Sequence, residues 1–250
     1  SNYTYEFYKI SKLINKVAIK LSKREKQKAK QNAKLKIANK QKDEIISAIS
    51  HEFKNPIAII SGYTETILND EQMPQPMKIR FLKKIYSNAN KMSHIVDKLR
   101  LTLKLEEGKQ ELILIPCSMK KLIITCISDL KDKYKNREIL IQGDDITLKV
   151  DETLISMAIS NLIENALKYS EDEIIVNISD KSITIIDKGI GIEEKELEKI
   201  NQKFYRISNN GWNNSLGLGL FIVQSVLSLH NFTLKIDSVF KNGSQFSINY

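Results

Sequence analysis

From residue 5 to residue 69 the chain places its apolar residues at alternating steps of four and three. Ile10, Ile14, Val17 and Leu21 open the series, and Leu35, Ala38, Ile45 and Ile49 close it. Arg24, Lys28, Gln31 and Lys42 stand at the intervening positions of the same register. A 3.5-residue repeat is the seam of a two-stranded coiled coil, and its polar middle predicts weak pairing there. Only Pro56 and Gly62 interrupt an otherwise helix-favouring composition, so one long helix is expected. Pro56 removes a backbone donor and crowds the carbonyl one turn back, which predicts loosening or a kink just after residue 52. Residues 69–76 read as a turn, with Pro76 placed for the first turn of a second helix that should stop at Gly108. Along that helix Leu82, Ile85, Ala89, Met92, Val96, Leu99 and Leu103 form another stripe. Two such helices joined by a short turn leave both stripes uncovered. A second copy would complete a four-helix bundle, so a homodimer is expected.

After Gly108 the period changes. Segments 111–115, 138–141, 146–150, 173–178, 182–186, 232–236 and 245–250 read as strands, and 118–134, 152–169 and 217–229 as helices. The order lacks strict βαβ alternation. It predicts an α+β sandwich, a mixed sheet with helices on one face, and not a doubly wound sheet. The expected parts are a basic signalling helix at 1–42, a dimerisation hairpin at 43–110 and a sandwich domain at 111–250.

Composition changes the picture in two places. The net charge of +9 is concentrated: residues 7–42 hold thirteen Lys and Arg against Glu25 alone, so the rest of the chain is mildly acidic. A nucleic-acid clamp is one use for such a segment, but the seam running through it favours a coiled coil, and no nucleic-acid partner is expected. Cys117 and Cys126, nine apart and outside any CxxC pattern, argue against a disulfide framework or a zinc site and fit a reducing compartment.

Three polar clusters stand out against this background. His51 is followed by Glu52 and, one helical turn on, by Asn55, which shares its face. An imidazole held through one nitrogen by a carboxylate can attack through the other. Asn161, Asn165 and Lys168 form a polar stripe on an apolar helix, with carboxamide oxygens of the kind that suit Mg²⁺ and an ammonium for phosphates. Asp187, Gly189 and Gly191 end a buried-looking strand. Taken singly, these are also what a surface histidine, a solvated helix face and a turn look like.

Ser50-His51-Glu52-Phe53-Lys54-Asn55-Pro56-Ile57 resembles the H-box of bacterial sensor histidine kinases, and four further boxes follow in that family's order. Residues 161–170 resemble the N-box and Asp187-Lys-Gly189-Ile-Gly191 the G1 box. Lys203-Phe204-Tyr205-Arg206 resembles the F-box and Gly217-Leu-Gly219 the G2 box. The resemblance spans roughly 45–250 and implies a Bergerat-type ATP-binding sandwich of the sort shared with gyrase and MutL ATPases. It implies His51 as phosphoacceptor, Glu52 as its orienting or deprotonating group, and Asn55 in removing phosphate from a partner. Asn161, Asn165, Lys168, Tyr169, Asp187, Gly189, Gly191, Arg206, Gly217 and Gly219 become ATP-binding residues, with Asn165 on Mg²⁺ and Asp187 on the adenine amino group. The implied partners are a second copy and the receiver domain of a response regulator. The family usually has a further glycine where this chain has Ser215, which bears on the phosphate loop and ATP affinity. The chain opens Ser-Asn-Tyr without methionine and reads as the cytoplasmic portion of a bacterial inner-membrane protein anchored upstream of residue 1. The competing expectation is a dimeric coiled-coil scaffold whose nucleotide domain regulates and transfers nothing. His230 is expected to be structural.

Overall fold

The computed structural model describes the backbone of residues 2–131, 133–134, 136–207 and 216–250. Side chains are described over the same residues except 2–11, 13–15, 17–19, 34, 37–38, 40–42 and 44–45. The seam residues Ile10, Ile14, Val17, Ala38, Lys42 and Ile45 therefore lie outside the described side chains, and Ser215 and Trp212 outside the described residues altogether. The chain divides into two compact units, Ser1–His51 and Glu52–Tyr250.

Helix α1 covers Asn2–Asn69 and passes through Pro56 without a break in its assignment. In the first unit, the seam positions Leu21 and Leu35 are exposed, as are Arg24, Lys28 and Gln31 between them. Helix α2 is Gln75–Glu106, with proline in its first turn as expected. It ends in a Schellman turn. Gly108 adopts φ +63°, its amide donates to the Leu105 carbonyl, and the Lys109 amide donates to the Lys104 carbonyl at 3.1 Å.

The remaining elements are β1 (Ile115–Ser118), α3 (Met119–Lys131), β2 (Ile139–Gln142), β3 (Thr147–Val150), α4 (Glu152–Tyr169), β4 (Ile174–Ile178), β5 (Ser182–Asp187), α5 (Glu194–Leu197), α6 (Gly219–Leu229), β6 (Thr233–Ser238) and β7 (Ser244–Asn249). Five strands form one mixed sheet in the order β2-β4-β5-β7-β6, parallel only between β2 and β4. Helix α4 packs on α3, α6 and β5, and α6 on β6. The core lies between these layers. Ile159, Leu162 and Ile163 from α4 and Ile222 and Val226 from α6 are fully buried with Ile174, Val176 and Ile185 of the sheet. Each such side chain contributes roughly 1.5–3 kcal/mol by leaving water.

The expected sandwich and its strand count are present, with two corrections. The strand foreseen at 111–115 lies at Ile115–Ser118, because the Ile113 amide donates to the Asp151 carboxylate at 3.1 Å and has no strand partner. That strand pairs with β3 in a separate two-stranded sheet, outside the main one.

Candidate active site

Helix α4 is started by Asp151, whose carboxylate accepts from the Leu154 amide at 3.0 Å. This cap fixes where the helix begins, and so which residues reach its polar stripe. Asn161 is buried, and its Nδ2 donates to the Met157 carbonyl at 2.8 Å, leaving Oδ1 as an acceptor for groups beyond the helix. Asn165 is half-buried one turn on, and Lys168 another turn on. Burial pushes the Lys168 ammonium below its ordinary value, and the nearby charges of Lys133 and Arg206 act in the same direction. The Lys168 ammonium also sits 5.7 Å from the centre of the half-exposed Tyr169 ring.

The first glycine turn is bolted to the end of this helix. The Ile190 amide donates to the Tyr169 carbonyl at 3.2 Å. Gly189 lies so close that a Cβ there would stand 2.1 Å from the same oxygen. Gly191, with φ +62°, would meet the Val239 carbonyl at 2.1 Å. Asp187 is buried at the end of β5 and accepts from the Gly189 amide at 2.8 Å. Burial raises its carboxyl above the usual carboxylate range against the lowering effect of the Gly189 and Ser244 amides. A buried carboxylate facing a tight glycine turn is suited to accepting a hydrogen bond from an amino group.

The second glycine turn meets the stripe from the other side. Gly217 has φ +66°, and its carbonyl accepts from the Phe204 amide at 3.0 Å, tying the 203–206 segment to the start of α6. Gly219 lies against Asn161, its virtual Cβ 3.5 Å from Oδ1. Thus α4, the two glycine turns and the 203–206 segment, far apart in sequence, meet around one polar stripe. Arg206 is exposed, and its charge reaches Lys168 and Tyr169.

His51 is exposed in the first unit. In the second unit Glu52 is buried to 4% exposure with Oε1 lacking a hydrogen-bond partner, and Asn55 is half-buried. Sequence reasoning missed Lys98, whose ammonium donates to Asn161 Oδ1 at 3.2 Å, and the ion pair of Glu106 with Lys203. A cavity of about 300 Å³ between α3, β2 and Leu167 contains none of these groups, and the polar chemistry lies elsewhere.

Residues 41–108 match the family model described as His Kinase A (phospho-acceptor) domain. Residues 150–250 match that of the histidine kinase-, DNA gyrase B- and HSP90-like ATPases. The first range contains the His51 box and the second all four nucleotide segments. The chain belongs to the sensor histidine kinases. Members of that family are ATP-dependent protein histidine kinases, and the chain carries their phosphoacceptor and ATP-binding domains in the family's order. Among related kinases, the phosphate regulon sensor protein PhoR of Pseudomonas aeruginosa is 31% identical over 218 residues, covering 83% of this chain and 49% of PhoR. The sensor-like histidine kinase SenX3 of Mycolicibacterium smegmatis is 27% identical over 217 residues, covering 82% of this chain and 56% of SenX3. The chain thus spans about half the length of the curated kinases it matches. In fold it is similar to the Acinetobacter baumannii histidine kinase AdeS, with TM-score 0.60 and 21% identity over 79% of this chain and 95% of that one.

Proposed function

We propose that this chain is the transmitter portion of a two-component sensor, in which His51 takes the γ-phosphoryl group of Mg-ATP and passes it to a receiver-domain aspartate of a response regulator. The observation that carries the reading is the buried Asp187 carboxylate in a glycine turn hydrogen-bonded to the end of the Asn161–Asn165–Lys168 helix. Asp187 would accept from the adenine amino group. The backbone at Gly189, Gly191, Gly217 and Gly219 would admit the nucleotide closely, and Lys168, Arg206 and Tyr169 would line its phosphate side. Mg²⁺ suits the donor set: two carboxamides on successive turns, and no cluster of three or more acidic, histidine or cysteine groups among the described residues. Such a site leaves most ligands to water and phosphate. Asn165, with Asn161 beside it, would hold the ion, which when bound neutralises phosphate charge. Phosphoryl transfer asks mainly for positioning and charge neutralisation. Glu52 would hold one imidazole nitrogen of His51 so that the other attacks, and would take up its proton. Asn55, one turn further on, would orient a water toward a docked phospho-aspartate and so serve dephosphorylation of the regulator.

In this reading 1–42 is the signalling helix, 43–110 the dimerisation and phosphoacceptor hairpin, and 111–250 the catalytic domain. The protein works as a homodimer. Its lysine-rich segment lies beside an anionic membrane in a longer protein anchored upstream. Among the described residues no helix is long and apolar enough to cross a membrane. The deciding experiment is incubation with γ-labelled ATP. Label that is acid-labile and base-stable, and absent from His51→Gln, is the expected result. Retained label in that variant would sink the reading, and nucleotide binding without any label would favour a regulatory scaffold.

A further inference from the structure

Ile95, Lys98, Thr102 and Glu106 fall at steps of three and four on one face of α2. It is a different face from the apolar stripe expected to meet a second copy. Ile95 and Thr102 are the buried residues of α2, at 7% and 3% exposure. The Thr102 hydroxyl donates to the Lys98 carbonyl at 2.7 Å. At the middle of this face the Lys98 ammonium donates to Asn161 Oδ1 at 3.2 Å, and at its end Glu106 pairs with Lys203, which also lies 5.1 Å from the centre of the Phe221 ring of α6. The same face therefore touches α4 and the 203–206 segment, and α2 also packs on α6, so that three of the elements that surround the nucleotide stripe meet this helix.

Asn161 cannot turn its oxygen elsewhere, because its Nδ2 is committed to the Met157 carbonyl. The oxygen faces Gly219 at the second glycine turn, where phosphates would lie. It now carries a monovalent cation from the hairpin. On the other strand of the hairpin, the buried Glu52 leaves Oε1 without a partner, and its charge reaches Lys168 and favours that ammonium against the burial that disfavours it.

We propose that the hairpin acts in cis as a stand-in for the magnesium nucleotide. Lys98 takes the cation's place on the Asn161 oxygen, and the Ile95–Thr102–Glu106 face is the anchor that keeps it there. This rests on the nucleotide reading of the stripe. A hydrated divalent cation and an ammonium repel at this range, so the two occupy the oxygen in turn. Nucleotide entry then requires Lys98 to leave, and freeing the face of α2 favours nucleotide to the same degree that nucleotide favours freeing it. Any signal that shifts α2 sets nucleotide affinity through this contact.

The test is calorimetric titration of the whole chain with Mg-ADP, comparing wild type with Lys98→Met, which keeps the stem and removes the charge, and with Glu106→Gln. Lys98→Met should tighten Mg-ADP binding about ten-fold, within the usual range of coupling between sites, and Glu106→Gln should tighten it less. Unchanged or weaker binding in Lys98→Met overturns the proposal, the latter by making Lys98 a nucleotide-holding residue. Failure of wild type and variants alike to bind Mg-ADP would instead count against the nucleotide reading. Hydrogen exchange without nucleotide separates the two. Amides across 95–102 should exchange faster in Lys98→Met than in wild type, and equal protection overturns the latch whatever the titrations show.

Discussion

Asp187 carries a charge that its surroundings resist. Burial raises its carboxyl above the usual range, so between the ordinary and the raised value the folded chain holds a proton that the unfolded chain has lost. The stability this group contributes is complete below the ordinary carboxylate range and is lost as pH rises through the raised value. Above the ordinary carboxylate range the raised value makes this group a cost to folding. Asp187→Asn should therefore gain melting temperature relative to wild type between about pH 3 and about pH 7. Paired thermal melts at the two pH values check this, and a constant difference would contradict it. The same variant should lose adenine nucleotide binding. Asp187 and its glycines were legible in the sequence because a carboxylate and a tight turn are neighbours there. Lys98 was not. It lies 63 residues from Asn161, and a lysine on a long helix looks like solvated surface until the partner oxygen is in place.

Elements are held in register by a few polar contacts that cross long stretches of chain. The Asp151 amide at the start of α4 donates to His230 Nε2 at 3.0 Å, so the other ring nitrogen carries the proton and donates to the Val226 carbonyl at 2.7 Å. One buried imidazole thus ties the end of α6 to the beginning of α4, in keeping with the structural role expected for His230. His230→Leu would leave the Asp151 amide buried without an acceptor, and should cost about 1–3 kcal/mol. Urea unfolding measures it, and a loss below about 0.5 kcal/mol would be the range of ordinary surface changes. The helices of this domain were readable because period and caps are local. The first strand was misplaced for the opposite reason. The group that claims the Ile113 amide is Asp151, 38 residues away, and nothing in 111–115 announces it.

At the scale of the molecule, the second unit exposes a row of large apolar side chains on its hairpin. Leu82, Val96 and Leu103 are each at least half exposed in the single chain, and Ile57 and Ile59 are more than 40% exposed. A second copy is the expected cover. Leu82→Glu with Val96→Glu should convert a dimer to a monomer at unchanged helix content. Sedimentation velocity with circular dichroism reads both, and a variant that stays dimeric would place the interface elsewhere. The first glycine turn has a consequence for how this sequence can drift. A methyl group at Gly189 or Gly191 would collide with the carbonyls of Tyr169 or Val239, which are main-chain atoms of other elements. Side chains can be trimmed by a second mutation, whereas a carbonyl is present whatever residue bears it. A screen for recovery of Gly189→Ala should therefore return glycine at codon 189 and few second-site suppressors, while the Cβ of Gly219→Ala would stand at an ordinary 3.5 Å from a side-chain oxygen and that variant should fold without any repair.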